Sequence, residues 1–286
     1  MESSNLKMGI VGHGFVGRAT DFGFSKNITK LIIDTKYNNS IRDLVVFKPQ
    51  IIFVCVPTPM FSNGFQDSSI VTEVVSEITN LIPETLIVIK STITPNVIEK
   101  LNNITRNIVY NPEFLREKHA NYDFENTKIL ILGGEKEDCK KVASIYKNHS
   151  ICKTQNFHIV DLTTASFIKY SINTFLATKV IYFNELFNLF SELGTNDSWQ
   201  KVIDIISHDE RLGSSHMNVP GHDGKRGFGG ACFPKDSIAL IKFAESMQID
   251  LSVLKSAVRT NNQIRTTYGD LDDREKEQNI SYDDKI

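Results

Sequence analysis

The sequence has little that would tie it to a membrane, a nucleic acid, a metal or an oxidising compartment. Of its 286 residues four are cysteine (Cys55, Cys139, Cys152 and Cys232), with no CxxC pair and no disulfide-like spacing. They read as reduced thiols, and the expected setting is cytoplasmic. No His, Cys or acidic residues stand at metal-ligand spacing, so no metal is expected. Neither sign of charge is in excess: 32 Lys and Arg against 34 Asp and Glu leave a net charge of −2. That balance gives no basis for nucleic acid or an anionic membrane as partner. No apolar run reaches the length of a membrane span. The opening residues, MESSNLKMGIVG, lack a signal-peptide layout and lead straight into a strand-like run. Internal repeats are missing too. What is present, 41% hydrophobic and 23% charged residues, fits a globular chain long enough for one large or two modest domains.

The first half alternates short β-branched runs with helix-compatible segments. The runs are MGIVG, KLIID, QIIFVCV, TLIVIK, NIVYN and KILILGG. Each is almost wholly apolar, as strands covered on both faces are. Residues 68–81 and 95–102 fit helices between them. This alternation predicts an α/β fold, a Rossmann-like parallel sheet with helices on both faces. After about Asp161 the pattern turns helical: 162–193 with Gly194 as a stop, then 199–207 and 236–262. The expected division is a Rossmann-like domain over 1–160, a helical central domain over 161–268, and a charged, disordered tail over 269–286.

Gly12-His13-Gly14-Phe15-Val16-Gly17 closes the first run and opens a helix, and the second run ends in Asp34. Alone, G-x-G-x-x-G is a weak signal; between a strand and a helix, with an acid at that distance, it predicts a dinucleotide site. Glycines let the backbone approach a pyrophosphate, and the helix N-terminus supplies N–H groups and positive dipole. Asp34 would accept from the ribose hydroxyls, favouring NAD over NADP, with Lys36 close by. The competing reading is a glycine turn needed for packing alone. His13 reads as a position facing cofactor or solvent.

Further along, Lys169 and Asn173 stand four apart in KYSIN and share a helix face, either to hold a substrate oxygen or as a solvated face. Glu113 and Glu117 in NPEFLRE follow an apolar run, where strand ends line ligand crevices; helix-start acids are the alternative. Ser91-Thr92 is likewise a strand end or the cap of a helix near Pro95. In GFGGACFPKD, Cys232 lies among glycines with Lys235 nearby, a setting that favours a thiolate. With a dinucleotide upstream, a thiolate suggests aldehyde oxidation through a thioester. A buried, inert cysteine is the plain alternative; Cys55 inside QIIFVCV is such a case.

Taken together, GIVGHGFVG, VPTP (56–59), STITP (91–95), NPEFLRE, KYSIN and GFGGACFPKD occur in the order of, and resemble, the motifs of the UDP-glucose/GDP-mannose dehydrogenase family over roughly residues 8–262. The resemblance implies oxidation of a nucleotide-sugar C6 alcohol to the carboxylate with NAD, UDP-glucose being the first choice of substrate. It implies Cys232 as nucleophile, Lys169 and Asn173 stabilising oxyanions, and Asp236 and Thr92 holding water, with Glu117 and Glu113 assisting. NAD would be held by Gly12, Gly14, Phe15, Val16, Gly17, Asp34, Lys36, Pro57, Thr58 and Thr92. Substrate would be met by Phe114, Leu115, Arg116, Lys169, Phe228, Gly229 and Gly230, with Arg211 reaching across a homodimer.

The sequence departs from the family pattern in several places. The segment between Asp34 and Ile51 is short, Lys118 stands where glycine is usual, and a second Rossmann-like domain expected after the last long helix is not seen. Residues 222–226 look inserted, and Lys225 and Arg226 there are candidates for phosphate contacts. Two other readings compete: a β-hydroxyacid dehydrogenase, which needs no cysteine, and a non-catalytic binder of NAD or a nucleotide sugar.

Overall fold

The computed structural model describes residues 5–283. The chain divides into two compact units: residues up to Thr58 together with Asp67–Lys169, and Pro59–Gln66 together with Tyr170 onward. The helical unit thus takes in eight residues from the first half of the chain, Pro59–Gln66, which the sequence pattern did not assign to it.

The first unit is built on a seven-stranded sheet in the order β2-β1-β3-β4-β5-β6-β7. Its strands are β1 (Leu6–Val11), β2 (Ile28–Ile33), β3 (Ile51–Val54), β4 (Leu86–Ile89), β5 (Ile108–Tyr110), β6 (Leu130–Gly134) and β7 (Phe157–Val160). The six apolar runs are the first six strands. The sheet is parallel except where β6 runs antiparallel to β5, a departure from the all-parallel expectation. Successive side chains point to opposite faces, so the apolar runs feed two cores. Ile52 and Val54 of β3 enter one, with Val71, Val75 and Ile78 of α3 (Ser69–Leu81) and Val97, Ile98 and Leu101 of α4 (Pro95–Ile104). Ile51 and Phe53 enter the other, with Phe124 of α5 (Ala120–Asn126) and Cys139, Val142 and Tyr146 of α6 (Lys136–His149). Helix α1 (Phe15–Gly23) follows β1, and the short 34–51 segment holds only α2 (Asp43–Phe47).

Helix α7 (Leu162–Glu192) carries the chain from the first unit into the second, where α8 (Trp199–Ile206), α9 (Phe233–Ser246), α10 (Ser252–Arg265) and α11 (Asp273–Glu277) follow. The single helix expected over 236–262 is two. The break at 247–251 contains no Gly or Pro; Gln248 takes a left-handed φ of 60° to make it. The core of this unit joins Met60, Tyr170, Ile181, Phe228, Ile241 and Val258 with Ile280 and Tyr282.

The segment expected to be disordered is ordered through Asp283; its last residues, 284–286, lie outside the described residues. Asp272 caps α11 in a capping box with Glu275, and Ile280 and Tyr282 are buried. Polar closure of α11 and two well-placed apolar residues do what a continuous apolar stripe usually does. Composition alone does not reveal this.

Candidate active site

In the first unit, β1 is followed by Gly12, which has φ of 89°. A Cβ there would stand 2.7 Å from the Cys55 carbonyl oxygen, and one on Gly17 would stand 2.0 Å from the Gly12 carbonyl oxygen. Both glycines serve close packing of strand, turn and helix. Gly14, the N-cap of α1, has nothing within 4 Å of the equivalent point. The loop therefore leaves a cleared approach at the α1 N-terminus, and that fits a pyrophosphate. Phe15 and Val16 open the helix beside it. Asp34 follows β2, and its carboxylate accepts from the backbone N–H of His13 at 2.5 Å and of Lys36 at 3.0 Å. Burial pushes the Asp34 carboxyl up, but these two hydrogen bonds and the nearby Lys36 hold it below the usual carboxylate range. An ionised acceptor at the end of the second strand fits a ribose diol. The His13 ring is engaged with Tyr37, Nδ1 to Oη 2.7 Å, so it braces the loop.

The ends of β3 and β4 are tied together. The Ser91 hydroxyl donates to the Val56 carbonyl at 2.7 Å, and the buried Thr58 hydroxyl donates to the Thr92 carbonyl at 2.9 Å, while Pro57 is exposed. The cap of α4 is Thr94, with Pro95 in the first turn, so Ser91 and Thr92 are strand-end residues and not a helix cap.

Beyond β5, Glu113 is 6% exposed and Lys169, on α7, is 2% exposed. The Lys169 ammonium donates to the Glu113 backbone carbonyl at 2.5 Å, lies 3.6 Å from its carboxylate, and sits 4.9 Å from the centre of the Phe114 ring. The Glu113 carboxylate also accepts from the Leu115 N–H at 2.6 Å. Lys169 is therefore not on a solvated helix face. Glu117 opens an exposed 3₁₀ turn with Lys118 and His119. Arg116 is held in a two-pronged pair with Asp123, at 2.6 and 3.0 Å.

One network here was invisible in the sequence. Lys90, 4% exposed, donates to Asn111 Oδ1 at 3.0 Å, which also accepts from the Tyr146 hydroxyl at 2.6 Å. Burial holds the Lys90 ammonium below its usual range. With Glu113 and Cys152, these residues line a cavity of about 30 Å³. Cys55 matches its reading as an inert thiol: burial pushes it up to about 11.

In the second unit, Cys232 is the N-cap of α9 and is half-buried. The Asp236 N–H donates to the Cys232 carbonyl at 2.8 Å, starting the helix. The Asp236 side chain is 1% exposed and accepts from Asn173 Nδ2 and from the Lys235 ammonium, each at 2.6 Å. Lys235 is itself 5% exposed. A buried carboxylate with two donors at this distance is fixed in place. A half-buried thiol at a helix N-terminus is in the setting that stabilises a thiolate.

The glycine loop before Cys232 is anchored from three helices. The Gly227 N–H donates to Asn184 Oδ1 (3.1 Å), that of Phe228 to Asn261 Oδ1 (2.6 Å) and that of Gly230 to Glu275 Oε1 (3.0 Å). The Phe228 ring is 3% exposed in the core, so it shapes the loop from beneath. A Cβ on Gly229 would meet Arg265 Nη2 at 2.0 Å, whereas Gly230 faces open space. Arg211 is exposed and paired with Asp209, Nη2 to Oδ2 2.5 Å. Lys225 and Arg226 are already engaged. Lys225 bonds Asp270 at 2.8 Å, and Arg226 bonds Asn188 at 2.6 Å and stacks on Phe187. They fasten the inserted loop, which runs against their reading as phosphate contacts. Among the described residues no cluster of three or more His, Cys, Asp or Glu is placed to hold a metal, and no helix is long and apolar enough to cross a membrane.

Comparison with known proteins bears on these two residue sets. Residues 28–150 match the NAD binding domain of the UDP-glucose/GDP-mannose dehydrogenase family, and residues 163–263 match the central domain of the same family. A UDP-glucose 6-dehydrogenase of Rickettsia felis is 33% identical over 235 residues, covering 79% of this chain and 50% of that protein. The chain thus spans about half the length of the curated relatives it matches. Among solved structures, a UDP-glucose dehydrogenase of Pyrobaculum islandicum superposes with a TM-score of 0.78 at 24% identity, over 92% of this chain and 69% of that one. A 3-hydroxyisobutyrate dehydrogenase of Mycobacterium tuberculosis does so at 0.69 and 16% identity, over 93% and 96%. At such identities these two show the fold alone. With two consecutive domains of one family matched in order over 28–263, and the cysteine loop and phosphate loop built as described, the chain belongs to the UDP-glucose/GDP-mannose dehydrogenase family.

Proposed function

We propose that the chain is an NAD-dependent nucleotide-sugar dehydrogenase that oxidises a C6 alcohol to the carboxylate through a thioester on Cys232, with UDP-glucose as first substrate. The observation that carries the reading is the buried Asp236 carboxylate, in the turn that follows Cys232, held by Lys235 beside it and by Asn173 of α7. A cysteine that merely filled space would not need a fixed carboxylate one helical turn on.

NAD, when bound at the Gly12–Gly17 loop and Asp34, supplies the hydride acceptor for each of two oxidations. The Lys169 ammonium and the Asn173 amide, both donors, offset the negative charge that develops on the substrate oxygen. Once the alcohol has become an aldehyde, the Cys232 thiolate adds to its carbonyl carbon to give the hemithioacetal oxyanion. Loss of hydride from that carbon leaves the thioester. Water then adds, the thiolate departs and the carboxylate is released. Asp236 and Thr92 hold the water, Glu117 takes its proton, and Glu113 keeps Lys169 in place. Arg116, Phe114 and Leu115 contribute to the substrate side, and Arg211 to a neighbouring copy.

Purified protein should form two NADH per sugar with UDP-glucose, and Cys232→Ser should abolish this while keeping its fold and NAD affinity. One NADH per substrate, unaffected in the variant, would instead indicate a hydroxyacid-type reaction. NAD binding with no turnover on any nucleotide sugar would indicate a binder.

We further propose a homodimer. Phe175, Tyr182 and Leu189 stand seven apart along α7 and are 66, 57 and 59% exposed, a stripe that pairing of two copies would cover. Four cysteines with no disulfide among them fit a reducing, cytoplasmic setting.

A further inference from the structure

The ordered C-terminal segment touches the cysteine loop at one point. Glu275 of α11 has no exposed surface. Its Oε1 accepts from the Gly230 N–H at 3.0 Å, from Arg265 Nη2 at 3.1 Å and from the Tyr282 hydroxyl at 2.5 Å; its Oε2 accepts from the Asp272 N–H at 2.9 Å. Gly230 lies two residues before Cys232 and has φ of 74°. Arg265 in turn fills the space above Gly229 and pairs with Asp223 of the inserted loop at 2.7 Å. Three donors from three different segments therefore meet on one carboxylate oxygen. One of those donors is the backbone of the loop that presents the thiol. A buried carboxylate is not needed to neutralise Arg265, which already has Asp223, and a helix as short as α11 does not need a buried partner for its own cap.

We propose that Glu275 is a positioning residue for the Cys232 loop: through the Gly230 N–H it fixes the turn that sets where the thiol stands at the α9 N-terminus. This rests on the reading of Cys232 as the nucleophile. With Glu275 removed, the Gly230 N–H and the Arg265 guanidinium lose a charged acceptor together, and the 227–233 turn is free to open. A lost hydrogen bond to a charged group corresponds to roughly tenfold or more in a local opening equilibrium.

The test compares wild type, Glu275→Ala and Glu275→Gln in the full chain. Hydrogen exchange of the peptide containing 227–233 should speed up about tenfold in the Ala variant, and iodoacetamide labelling of Cys232 should rise by a similar factor relative to Cys152. The Gln variant, which keeps an acceptor oxygen, should fall between wild type and Ala. If the Ala variant does not fold, a threefold rise in both readouts for Gln carries the test. Labelling that falls, or either readout staying within about twofold of wild type, overturns the proposal. A role confined to folding would lower the melting temperature and leave the Cys232-to-Cys152 ratio unchanged. Neither readout depends on turnover, so a wild type that forms no NADH refutes the nucleophile reading alone. Two NADH per sugar with an unaltered labelling ratio refutes only the role of Glu275.

Discussion

Gly14 and Gly17 belong to one motif and do different work. A methyl on Gly17 would stand 2.0 Å from the Gly12 carbonyl oxygen, while one on Gly14 would meet nothing within 4 Å. Gly17→Ala should therefore cost about 3 kcal/mol of stability, the upper end of overpacking effects, with NAD affinity falling as a consequence. Gly14→Ala should melt near the wild-type temperature yet bind NAD at least tenfold more weakly, because the added methyl enters the space a pyrophosphate needs. Thermal melts beside NAD titration check both. Equal melting and equal affinity for the two variants would contradict this division. At this scale the sequence motif located the loop, but it could not say which glycine packs and which clears the approach.

Among the elements, α11 gives the clearest acid-sensitive contribution. Burial pushes the Glu275 carboxyl up, but hydrogen bonds from Tyr282, Asp272 and Gly230 and the Arg265 charge outweigh it and hold the group below the usual range. A carboxylate whose folded pKa is depressed contributes stability that is fully present above its unfolded value, about 4.3, and lost as pH falls through the lower folded value. Wild type should thus lose stability to denaturant on going from pH 5 to pH 3 more steeply than Glu275→Gln. Parallel curves over that window would remove the carboxylate from the account. Sequence reading did not find this element because hydropathy registers apolar stripes, and α11 is held by one buried charge and its capping box. Edge strand β7 was missed for a related reason: FHIV is half-exposed and offers no apolar run. The α9–α10 break escaped because Gln248, and not Gly or Pro, adopts the left-handed turn. The six apolar strands, α3, α7 and the Cys232 loop were all legible, since each carries a continuous apolar run, apolar residues recurring at helical spacing, or a fixed run of chemically distinctive residues.

For the whole molecule, the proposed pairing through α7 makes a direct prediction. Tyr182→Asp with Leu189→Asp places charges on side chains already exposed, so the fold should persist while a dimer separates. Light scattering at low concentration should show wild type at twice the chain mass of 32.3 kDa and the double variant at that mass. A wild-type monomer would end the proposal.

The second unit is also discontinuous in the chain. The Met60 N–H donates to the Gln278 carbonyl at 3.2 Å, and Asn279 Nδ2 donates to the Met60 carbonyl across 219 residues of separation. During synthesis Met60 emerges first and its partners follow after about 10–40 s at ribosomal rates of roughly 5–20 residues per second. Once β7 has emerged, the Pro59–Gln66 stretch hangs from a sheet whose strands are all made, while Met60, 1% exposed in the finished fold, still lacks its C-terminal partners. A nascent chain stalled between Val160 and Gln278 offers the Met60 side chain to whatever chaperone waits at the tunnel exit.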